Sequence, residues 1–384
     1  MRIAYCTNVR LPSERAHGHQ IAQVCDALVK LGHDVRILAP FRKNVVQDDY
    51  WKYYGADPRV KLTHVGSFDA IASPLMPSVI GLFAMNIMLR RRLRTELSGE
   101  KFDLLYTRSP ALLPAMLATG IPTILELHQL PRRGRRGFVR YCNQCALVAA
   151  LTSAMRDVLV SWGVDSKRVI AEGDAVDLKR FEHLPSKQHA REAFHLTSDR
   201  LVVGYIGRLK TLRMDKGVAI MLKAFKELQP SGKFFGFIVG GPESDQREYA
   251  KMAAELGLTT HDVIFTGEIP ASQVPLSMAA CDILAMPFPD FPHYRHHMSP
   301  LKMFEYMAAD RPLITSDLPT VRDVLDESTA IFCVPSDVQS FIKALEWIAG
   351  YPKEAEERAK RAKELVKRHT WEERMVRILR NTQG

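Results

Sequence analysis

The segment SPLKMFEYMA, which begins at Ser299, combines residue types that could bind an anion. Ser299 is a good helix N-cap, and Pro300 is a good first helical residue. The free amides of Leu301 and Lys302 would then face an anion, and the Lys302 side chain would add positive charge. Glu305, one turn further on, could accept hydrogen bonds from hydroxyl groups. The alternative is a capped helix that carries a Lys302–Glu305 surface ion pair at i,i+3 spacing.

A second candidate anion site lies in the segment YIGRLKTLRMDKG. Gly207 and Arg208 follow a predicted strand, and Lys216 stands at the start of the next helix. Two cations on one strand-to-helix loop would suit a diphosphate, because arginine offers a planar fork and lysine a point charge. Lys210 and Arg213 are in the same loop, so an ordinary solvated basic loop is the alternative.

The loop after the first predicted strand, TNVRLPSERAHGHQ, brings Gly18 to the start of a helix. Backbone amides at a helix start favour anions, and a glycine lets a ligand approach the backbone closely. An ordinary turn explains the glycine equally well. We interpret His17 and His19 beside it as exposed loop histidines.

Metal and redox chemistry have weaker support in the sequence. His293, His296 and His297 have ligand-like spacing, but Asp290 is the only nearby group that could complete a set, so we expect no metal site. The CxxC pair at 142–145 stands alone, without a redox context. The six cysteines are thinly spread, which indicates reduced thiols in a cytoplasmic protein.

Alternating strands and helices must position these residues. In the first half of the chain, the apolar segments RIAYCTN, DVRILAP, DLLYTR, PTILELH, ALVAALT and RVIAEGDA are separated by helical or loop segments. Such alternation predicts βαβ units and a parallel sheet that is buried on both faces.

The pattern becomes polar around residues 182–195 and then starts again with LVVGYIGR, FFGFIVGG, DVIFTGE, DILAMPF, PLITSD and AIFCVP. We therefore predict an α/β protein with two doubly wound, Rossmann-like domains at 1–185 and 196–365. The charged tail that starts at KEAEERAK predicts a solvent-facing helix pair. We expect its last helix, within 366–384, to pack back towards the first domain. Ligands of such sheets bind beyond the strand carboxyl ends, so a cleft between the two domains is the expected site.

Length, composition and charge narrow the class of protein. A chain of 384 residues exceeds one ordinary core, and 46% hydrophobic with 25% charged residues is typical of a soluble globular protein. No apolar run is long enough to span a membrane, and the first residues enter a strand directly, which predicts no signal peptide. The net charge is +10, and residues 1–180 hold all of the excess, with 26 Lys and Arg against 16 Asp and Glu. We expect this half to meet an anionic partner.

Several segments together resemble one family. GYIGRL…DKG, FIVGGPE, VIFTGEIP, CDILAMPF, SPLKMFEYMAADRPLITSDLP and TWEERMVRIL occur in the order that glycosyltransferase family 4 has, and they cover most of residues 201–377. GDAVDLKRF at 173–181, HGHQIAQVCDALVKLGHDVRIL and TILELHQLP fit as well. The chain is similar to retaining glycosyltransferases with the GT-B fold, in which two Rossmann-like domains face each other across a cleft.

The resemblance implies transfer of a sugar from a UDP- or GDP-sugar to a glycan or lipid-linked acceptor, without a catalytic metal or other cofactor. The C-terminal domain would bind the nucleotide sugar, and the N-terminal domain would bind the acceptor. Arg208 and Lys216 match the pair that stabilises the departing diphosphate, and Glu305 matches the glutamate that binds the nucleotide ribose. Gly18 matches a glycine whose amide meets the donor phosphate or sugar, and His128 matches a histidine near the reaction centre. The remaining residues of the predicted donor site are Gly207, Gly241, His297, Ser299, Pro300, Leu301 and Lys302.

One position departs from the family pattern. Members often carry a second glutamate eight residues before the one that matches Glu305, and this sequence has His297 there. A subset with SPLK…FEYMA also lacks that glutamate. The replacement bears on how the hydroxyls of the donor sugar are held, and therefore on which sugar is transferred.

Three other functions compete with sugar transfer. A nucleotide-sugar epimerase or phosphorylase would share the fold, and the histidine at 297 would also suit an inactive binding subunit. The basic charge suggests a nucleic-acid-binding protein. However, the aromatic residues do not interleave with the arginines and no recognition motif is present, so a nucleic-acid partner is disfavoured.

Two arginine-rich segments of the N-terminal half suggest a contact with a membrane. RRRLR at 90–94 follows an apolar stretch from Val79 to Leu89, and PRRGRRGFVR spans 131–140. An apolar face followed by arginines could seat the N-terminal domain on the anionic inner face of a membrane. A core-packing helix with a solvated end is the alternative.

Overall fold

The computed structural model describes residues 1–13, 16–44, 46–66, 78–196 and 199–382, with the side chains of 78–80, 82 and 83 excepted. The chain forms two compact units. Unit 1 comprises Met1–Gly173 and Trp371–Gly384, and unit 2 comprises Asp174–Thr370. Each unit has its own parallel sheet with helices, so the predicted pair of doubly wound domains is confirmed. The first unit ends at residue 173, earlier in the chain than the predicted end at 185.

Unit 1 is built on a seven-stranded parallel sheet. Its strands are β1 (Arg2–Cys6), β2 (Asp34–Pro40), β3 (Lys61–Val65), β4 (Leu104–Thr107), β5 (Thr123–Leu127), β6 (Leu147–Ala150) and β7 (Val169–Ala171). Its helices before residue 174 are α1 (Ala16–Lys30), α2 (Tyr50–Tyr54), α3 (Ser78–Gly99), α4 (Leu113–Leu117), α5 (Arg135–Cys142) and α6 (Ser153–Ser161). The strand order is β3-β2-β1-β4-β5-β6-β7, which reverses between β1 and β4. Ligands of such sheets bind beyond the strand carboxyl ends at this point.

Unit 2 repeats this plan with a six-stranded parallel sheet and one short antiparallel hairpin, β9–β10. Its strands are β8 (Leu201–Ile206), β9 (Lys210–Thr211), β10 (Met214–Asp215), β11 (Phe234–Val239), β12 (Val263–Gly267), β13 (Ile283–Met286), β14 (Leu313–Ser316) and β15 (Ile331–Cys333). Its helices are α7 (Lys187–Ala193), α8 (Val218–Leu228), α9 (Glu243–Glu255), α10 (Val274–Ala279), α11 (Pro292–His296), α12 (Leu301–Ala308), α13 (Pro319–Arg322), α14 (Val338–Gly350) and α15 (Pro352–Val366). The sheet order is β12-β11-β8-β13-β14-β15, and it reverses between β8 and β13.

Burial explains why the central strands are nearly continuous apolar runs. β4, β6, β11, β13 and β14 are buried at every residue, because helices cover both faces of each sheet. β5 contains a charged exception, since Glu126 in its sequence TILEL has no exposed surface. A buried carboxylate is unfavourable unless other groups pair with it.

The charged tail contains one prediction that is wrong. Its last helix, α16 (Trp371–Arg380), is not solvent-facing: it buries Trp371, Arg374, Met375 and Ile378. These positions recur at i, i+3, i+4 and i+7, which is one face of a helix. The helix belongs to unit 1, where it packs against α1.

Candidate functional site

Unit 2 gathers basic residues beyond the carboxyl end of β8, beside the point where the strand order reverses. Gly207 follows β8 with a φ of 132°, a backbone conformation that favours glycine. Arg208 is exposed beside it, and Lys216 lies after the β9–β10 hairpin, next to the start of α8. Asp215 fixes this start, because its carboxylate accepts a hydrogen bond from the amide of Gly217 at 2.9 Å.

The side chains of Lys216 and Arg208 have no hydrogen-bond or salt-bridge partner in the part of the chain that the structure describes. Burial, followed by the nearby charge of Arg208, lowers the pKa of Lys216 to about 8. Burial and the charge of Arg208 thus both disfavour the charged form of Lys216, and no described side chain pairs with its ammonium. A bound anion would offset them.

The start of α12 differs from the sequence prediction at Ser299 and Pro300. The helix begins at Leu301, Pro300 occupies the N-cap position, and no side chain caps the helix, so the predicted Ser299 cap is wrong. The Ser299 hydroxyl oxygen accepts a hydrogen bond from the backbone N–H of Asp174 at 2.8 Å instead. The amides of Leu301 and Lys302 are among the first four of the helix, which have no partner within it.

Lys302 is a buried cation without a counter-ion. Only 7% of its surface is exposed, and its Nζ has no hydrogen-bond partner in the described residues. This nitrogen lies 3.4 Å from the centroid of the Tyr205 ring, and a Cβ added to Gly207 would lie 3.3 Å from it. Burial, followed by the charge of Lys216, holds the pKa of Lys302 well below its usual range. The alternative of an exposed Lys302–Glu305 surface pair is therefore wrong.

Glu305, one turn further along α12, is paired with an arginine that the sequence analysis did not single out. Nη1 of Arg180 donates to Oε1 of Glu305 at 3.0 Å, and its Nη2 donates to the carbonyl of Ala271 at 2.8 Å. Burial raises the pKa of Glu305, while the charge and hydrogen bond of Arg180 act in the opposite direction. The guanidinium fixes one carboxylate oxygen, and no hydrogen bond to the other is present in the described residues.

Gly241 lies where two loops of unit 2 touch. A Cβ on the preceding Gly240 would lie only 2.0 Å from the carbonyl oxygen of Gly207, and a Cβ on Gly241 would lie 2.5 Å from Cγ of Glu268. The carbonyl of Gly241 accepts a hydrogen bond from the amide of Leu209 at 3.1 Å. Backbone packing thus requires glycine at position 240, whereas a Cβ at 241 would meet only the side chain of the exposed Glu268. Donor binding by Gly241 stays a prediction.

His297 directly follows α11. Its Nδ1 is buried and has no hydrogen-bond partner among the residues described. Burial, followed by the charge of His296, lowers the pKa of His297, so the neutral ring is favoured. In the described residues, no group of three or more His, Cys, Asp or Glu side chains is arranged to hold a metal ion, and this includes the three histidines near α11.

Gly18 lies in the first turn of α1 in unit 1. A Cβ at this position would lie 2.2 Å from the Tyr54 hydroxyl oxygen and 2.9 Å from the carbonyl oxygen of Ser13. Packing therefore requires glycine at this position. Its amide is also one of the first in the helix, so a contact with an anion stays a prediction.

His128 directly follows β5 and is bound to a buried carboxylate. Its Nε2 lies 2.6 Å from Oε1 of Glu126, and 19% of its side chain is exposed. Glu126 also accepts short hydrogen bonds from Gln20 and from the hydroxyl of Tyr106. Nη1 of Arg374, on α16, donates to Oε2 of Glu126 at 3.1 Å.

These partners keep Glu126 ionised. Burial by itself would raise the pKa of Glu126, but the charge of Arg374 and the hydrogen bonds from His128 and Tyr106 lower it well below its usual range. Arg374 has no exposed surface, and its other N–H groups donate to the carbonyls of Gly173 at 2.6 Å and Glu172 at 3.4 Å. Both members of this buried ion pair are therefore well supplied with hydrogen bonds.

Three residues were missed by the sequence analysis. Arg180 belongs to the site around Glu305 in unit 2. Glu126 and Arg374 belong to the site around His128 in unit 1. A signal existed for two of them. Glu126 stands in an otherwise apolar strand, two residues before His128, and Arg374 lies on the apolar face of α16. A charged residue at a core position of a strand or helix predicts a buried partner.

The arginine-rich segments have a mixed structural setting. On α3, Leu89, Leu93 and Leu97 are buried in the core of unit 1, which supports core packing for this part of the helix. The first apolar side chains of the predicted membrane seat, at 79, 80, 82 and 83, lie outside the described residues. Within the described residues, no helix is both long enough and apolar enough to cross a membrane. The arginines of 131–140 are exposed.

Two protein-family models, both describing glycosyltransferases, match the sequence of the chain. The model described as Glycosyltransferase Family 4 matches residues 18–180, and the model described as Glycosyl transferases group 1 matches residues 200–350. The first match includes Gly18 and His128, and the second includes the cations and the glutamate of unit 2.

Two bacterial relatives illustrate the similarity. The chain is 32% identical over 147 residues to a 2-deoxystreptamine glucosyltransferase from Streptomyces kanamyceticus, over 38% of this chain and 37% of that relative. It is 22% identical over 344 residues to a GDP-mannose-dependent alpha-mannosyltransferase from Mycolicibacterium smegmatis, over 85% of this chain and 82% of that relative. The first match thus spans little more than a third of the glucosyltransferase.

Solved structures share the fold over the whole chain. A glycosyltransferase from Rickettsia africae superposes with a TM-score of 0.77 at 14% identity, covering 100% of this chain and 97% of that one. HepE from Anabaena, solved with UDP and glucose, superposes with a TM-score of 0.73 at 17% identity, covering 99% of each chain. At these identities the likeness shows the fold alone.

Proposed function

The chain belongs to the GT-B glycosyltransferases of family 4, and on that premise we propose that it transfers a sugar, with retention, from a UDP- or GDP-sugar to a glycan or lipid-linked acceptor. Unit 2 binds the nucleotide sugar and unit 1 the acceptor. The reaction uses no metal, because basic side chains and helix amides neutralise the diphosphate. The relatives support both bases: HepE was solved with UDP-glucose, and the mannosyltransferase is described as GDP-mannose-dependent.

The observation that carries the proposal is the cluster of unpartnered cations in unit 2. Lys302 is buried without a hydrogen-bond partner, and Lys216 and Arg208 lack partners among the described residues as well. Holding these cations close together is unfavourable: the charge of Arg208 lowers the pKa of Lys216, and the charge of Lys216 lowers the pKa of Lys302. A diphosphate carries negative charge on adjacent phosphoryl groups and would relieve this repulsion. The neighbouring amides at the start of α12 would add hydrogen bonds to it.

These cations would act on the bond that breaks. The anomeric carbon–oxygen bond of the donor cleaves, and its electron pair passes to the diphosphate oxygen. Arg208, Lys216 and Lys302 stabilise the negative charge that develops there, which lowers the barrier through the transition state. The acceptor hydroxyl then bonds to the anomeric carbon on the same face, and its proton passes to the released diphosphate.

Glu305 supplies recognition rather than charge neutralisation. Arg180 holds one of its oxygens, so the other is oriented and can accept hydrogen bonds from the ribose hydroxyls. His297 offers a buried Nδ1 that has no partner among the described residues, and this nitrogen would meet a hydroxyl of the donor sugar. Gly18 in the first turn of α1, and Gly207 and Gly241 in loops of unit 2, let the backbone approach the ligand.

The exposed arginines of unit 1 support a contact with anionic lipid on the cytoplasmic face of a membrane. Arg132, Arg133, Arg135, Arg136 and Arg140 all belong to one short, exposed segment that follows His128. Each such residue near an anionic surface contributes about 1 kcal/mol. Flotation with vesicles that contain 30% phosphatidylserine should carry the protein upward at low salt. Equal flotation with neutral vesicles, or none, would remove this part of the proposal.

A thermal-shift panel of nucleotide sugars tests the donor assignment. The matching donor should raise the melting temperature by mass action, and its effect should be lost in Lys302→Met. Lys251→Met is the matched control, because Lys251 is an exposed lysine of the same unit, with 78% of its side chain accessible. If Lys302→Met and Lys251→Met respond alike to every nucleotide sugar, the donor site is wrongly placed.

Product analysis then separates the rival activities. Incubation of the donor with an acceptor glycan should give one new glycosidic bond of unchanged anomeric configuration, detected by proton NMR. Conversion of the donor in the absence of acceptor would indicate an epimerase or phosphorylase instead. The same reaction after treatment with EDTA tests whether a metal takes part.

A further inference from the structure

Glu126 imposes a direction on the hydrogen bond that it shares with His128. Each other side chain that contacts its carboxylate donates to it: Gln20 through Nε2, Tyr106 through its hydroxyl, and Arg374 through Nη1. An ionised carboxylate only accepts hydrogen bonds. The hydrogen between Glu126 and His128 must therefore sit on Nε2 of the imidazole.

The position of that hydrogen decides what the other imidazole nitrogen can do. In a neutral ring with the hydrogen on Nε2, Nδ1 carries a lone pair and accepts hydrogen bonds. Nδ1 of His128 has no protein partner among the described residues, and the ring is partly exposed. In the neutral form of the ring, Nδ1 can therefore accept a hydrogen bond from a hydroxyl group of a bound sugar.

Arg374 supports this arrangement from the far side of the carboxylate. It has no exposed surface, and its N–H groups reach Oε2 of Glu126 and the carbonyls of Gly173 and Glu172. Tyr106 stays protonated and remains a donor, because burial and the charge of Glu126 raise its pKa. Both oxygens of Glu126 therefore accept hydrogen bonds from other donors, and the ionised carboxylate has no hydrogen to donate to the imidazole.

We propose that Glu126 and Arg374 are positioning residues that fix the tautomer of His128, so that its Nδ1 is the nitrogen offered to a sugar hydroxyl. The pair acts through His128 and does not touch the substrate. The role of His128 rests on the proposed sugar transfer, but its tautomer does not. Helix α16 is thereby part of the site in unit 1, because the buried guanidinium of its Arg374 binds Glu126.

The substitution Glu126→Gln tests the direction of the bond. The glutamine carbonyl should stay with Arg374, whose hydrogens are fixed and buried, so the amide group should face His128. That amide donates, and Nε2 must then become the acceptor, with the hydrogen on Nδ1. Nitrogen-15 NMR of histidine-labelled protein distinguishes the two tautomers, and loss of one signal in His128→Asn assigns it among the 13 histidines.

Glu172→Gln is the matched control. Glu172 is also paired with an arginine of α16, since Arg377 donates to it at 2.7 Å and 3.0 Å, but it does not contact His128. We expect hydrogen on Nε2 of His128 in the wild type and in Glu172→Gln, and hydrogen on Nδ1 in Glu126→Gln. A wild-type spectrum with the hydrogen on Nδ1 would overturn the proposal even if the variant failed to fold.

Kinetics test the functional half of the proposal. Glu126→Gln should lower kcat at least tenfold while the KM for the donor stays within about twofold, because unit 2 binds the donor. Arg374→Lys keeps the charge beside Glu126, so it should retain the wild-type tautomer and most of the turnover. A changed tautomer with unchanged kcat would refute the positioning role. A wild-type protein without transferase activity would refute the proposed function, while the spectrum still tests the tautomer.

Discussion

Arg374 in unit 1 and Lys302 in unit 2 are both buried cations, but their surroundings are opposite. Arg374 pairs with Glu126 and donates to two backbone carbonyls, so its charge and its hydrogen bonds are satisfied by the protein. Lys302 contacts the face of Tyr205, and its ammonium has no hydrogen-bond partner in the described residues. The hydrogen bonds of Arg374 are satisfied within unit 1, whereas those of the Lys302 ammonium are unsatisfied in the described residues.

This difference separates stability from binding. Removing a satisfied buried charge leaves its partner uncompensated, so Arg374 should matter first for folding. Removing an unsatisfied buried charge should not lower the stability of the protein without ligand. Lys302 should therefore affect donor affinity and not folding. The two units therefore use buried basic residues for different purposes, and four measurements test this difference.

The largest expected effect is on folding. Arg374→Met should lower the free energy of unfolding by about 3–5 kcal/mol, because Glu126 keeps a buried charge without its counter-ion. Urea denaturation measures this. Arg377→Met, which removes a partly exposed ion pair on the same helix, should cost under about 1 kcal/mol. Similar losses in the two variants would contradict the distinction between satisfied burial and surface pairing.

The next effect is on catalysis. Lys216→Ala should lower kcat about 10²–10³-fold, or about 2.7–4 kcal/mol of transition-state stabilisation, because one positive group on the departing diphosphate is lost. The free energy of unfolding should not fall, since the ammonium has no partner in the described part of the chain and its pKa is already lowered to about 8. Steady-state kinetics and denaturation on the same preparation check both halves. Wild-type turnover would remove Lys216 from the site.

A smaller effect, of opposite sign for stability, is expected at Lys302. Lys302→Met should leave the empty protein equally stable or up to about 1–3 kcal/mol more stable, because a buried group without a partner is replaced by an apolar one. Donor affinity should fall at least tenfold by calorimetry. A destabilised variant with normal affinity would mean that Lys302 resembles Arg374 after all.

The smallest effect is a pH dependence. Between pH 7 and pH 9 the affinity for UDP or GDP should fall about tenfold, because Lys216, with a pKa of about 8 in the empty protein, loses its proton. The pKa is lower in the folded than in the unfolded state, so the same group makes folding more favourable as pH rises from about 8 towards 10.5. Calorimetry should show a smaller fall in Lys216→Met, in which Lys302 remains as an amine with a lowered pKa.

The sequence predicts the two sheets and the cations of unit 2 because both depend on local patterns. Apolar runs of strand length between helical segments define parallel strands. The order of short motifs places Arg208 and Lys216 next to strand and helix ends, and Glu305 one turn into a helix. Fold and family were therefore accessible before any coordinates. The contribution of each residue to donor binding stays a prediction.

Contacts between distant parts of the chain were not accessible in this way. Ser299 looks like a helix cap, but its hydroxyl accepts from Asp174, 125 residues away in sequence. Glu126 and Arg374 are separated by 248 residues, and neither segment alone indicates the other. Burial of Lys302 likewise depends on Tyr205 and Gly207, which another strand supplies.

The route of the chain through its two units has a consequence for synthesis on the ribosome. Unit 2 is continuous from Asp174 to Thr370, whereas unit 1 needs Trp371 and the residues after it. While residues 174–370 are being translated, Glu126 lacks its ion-pair partner, because Arg374 lies 248 residues further along the chain. We therefore expect unit 1 to complete its buried ion pair only after residue 374 has been translated.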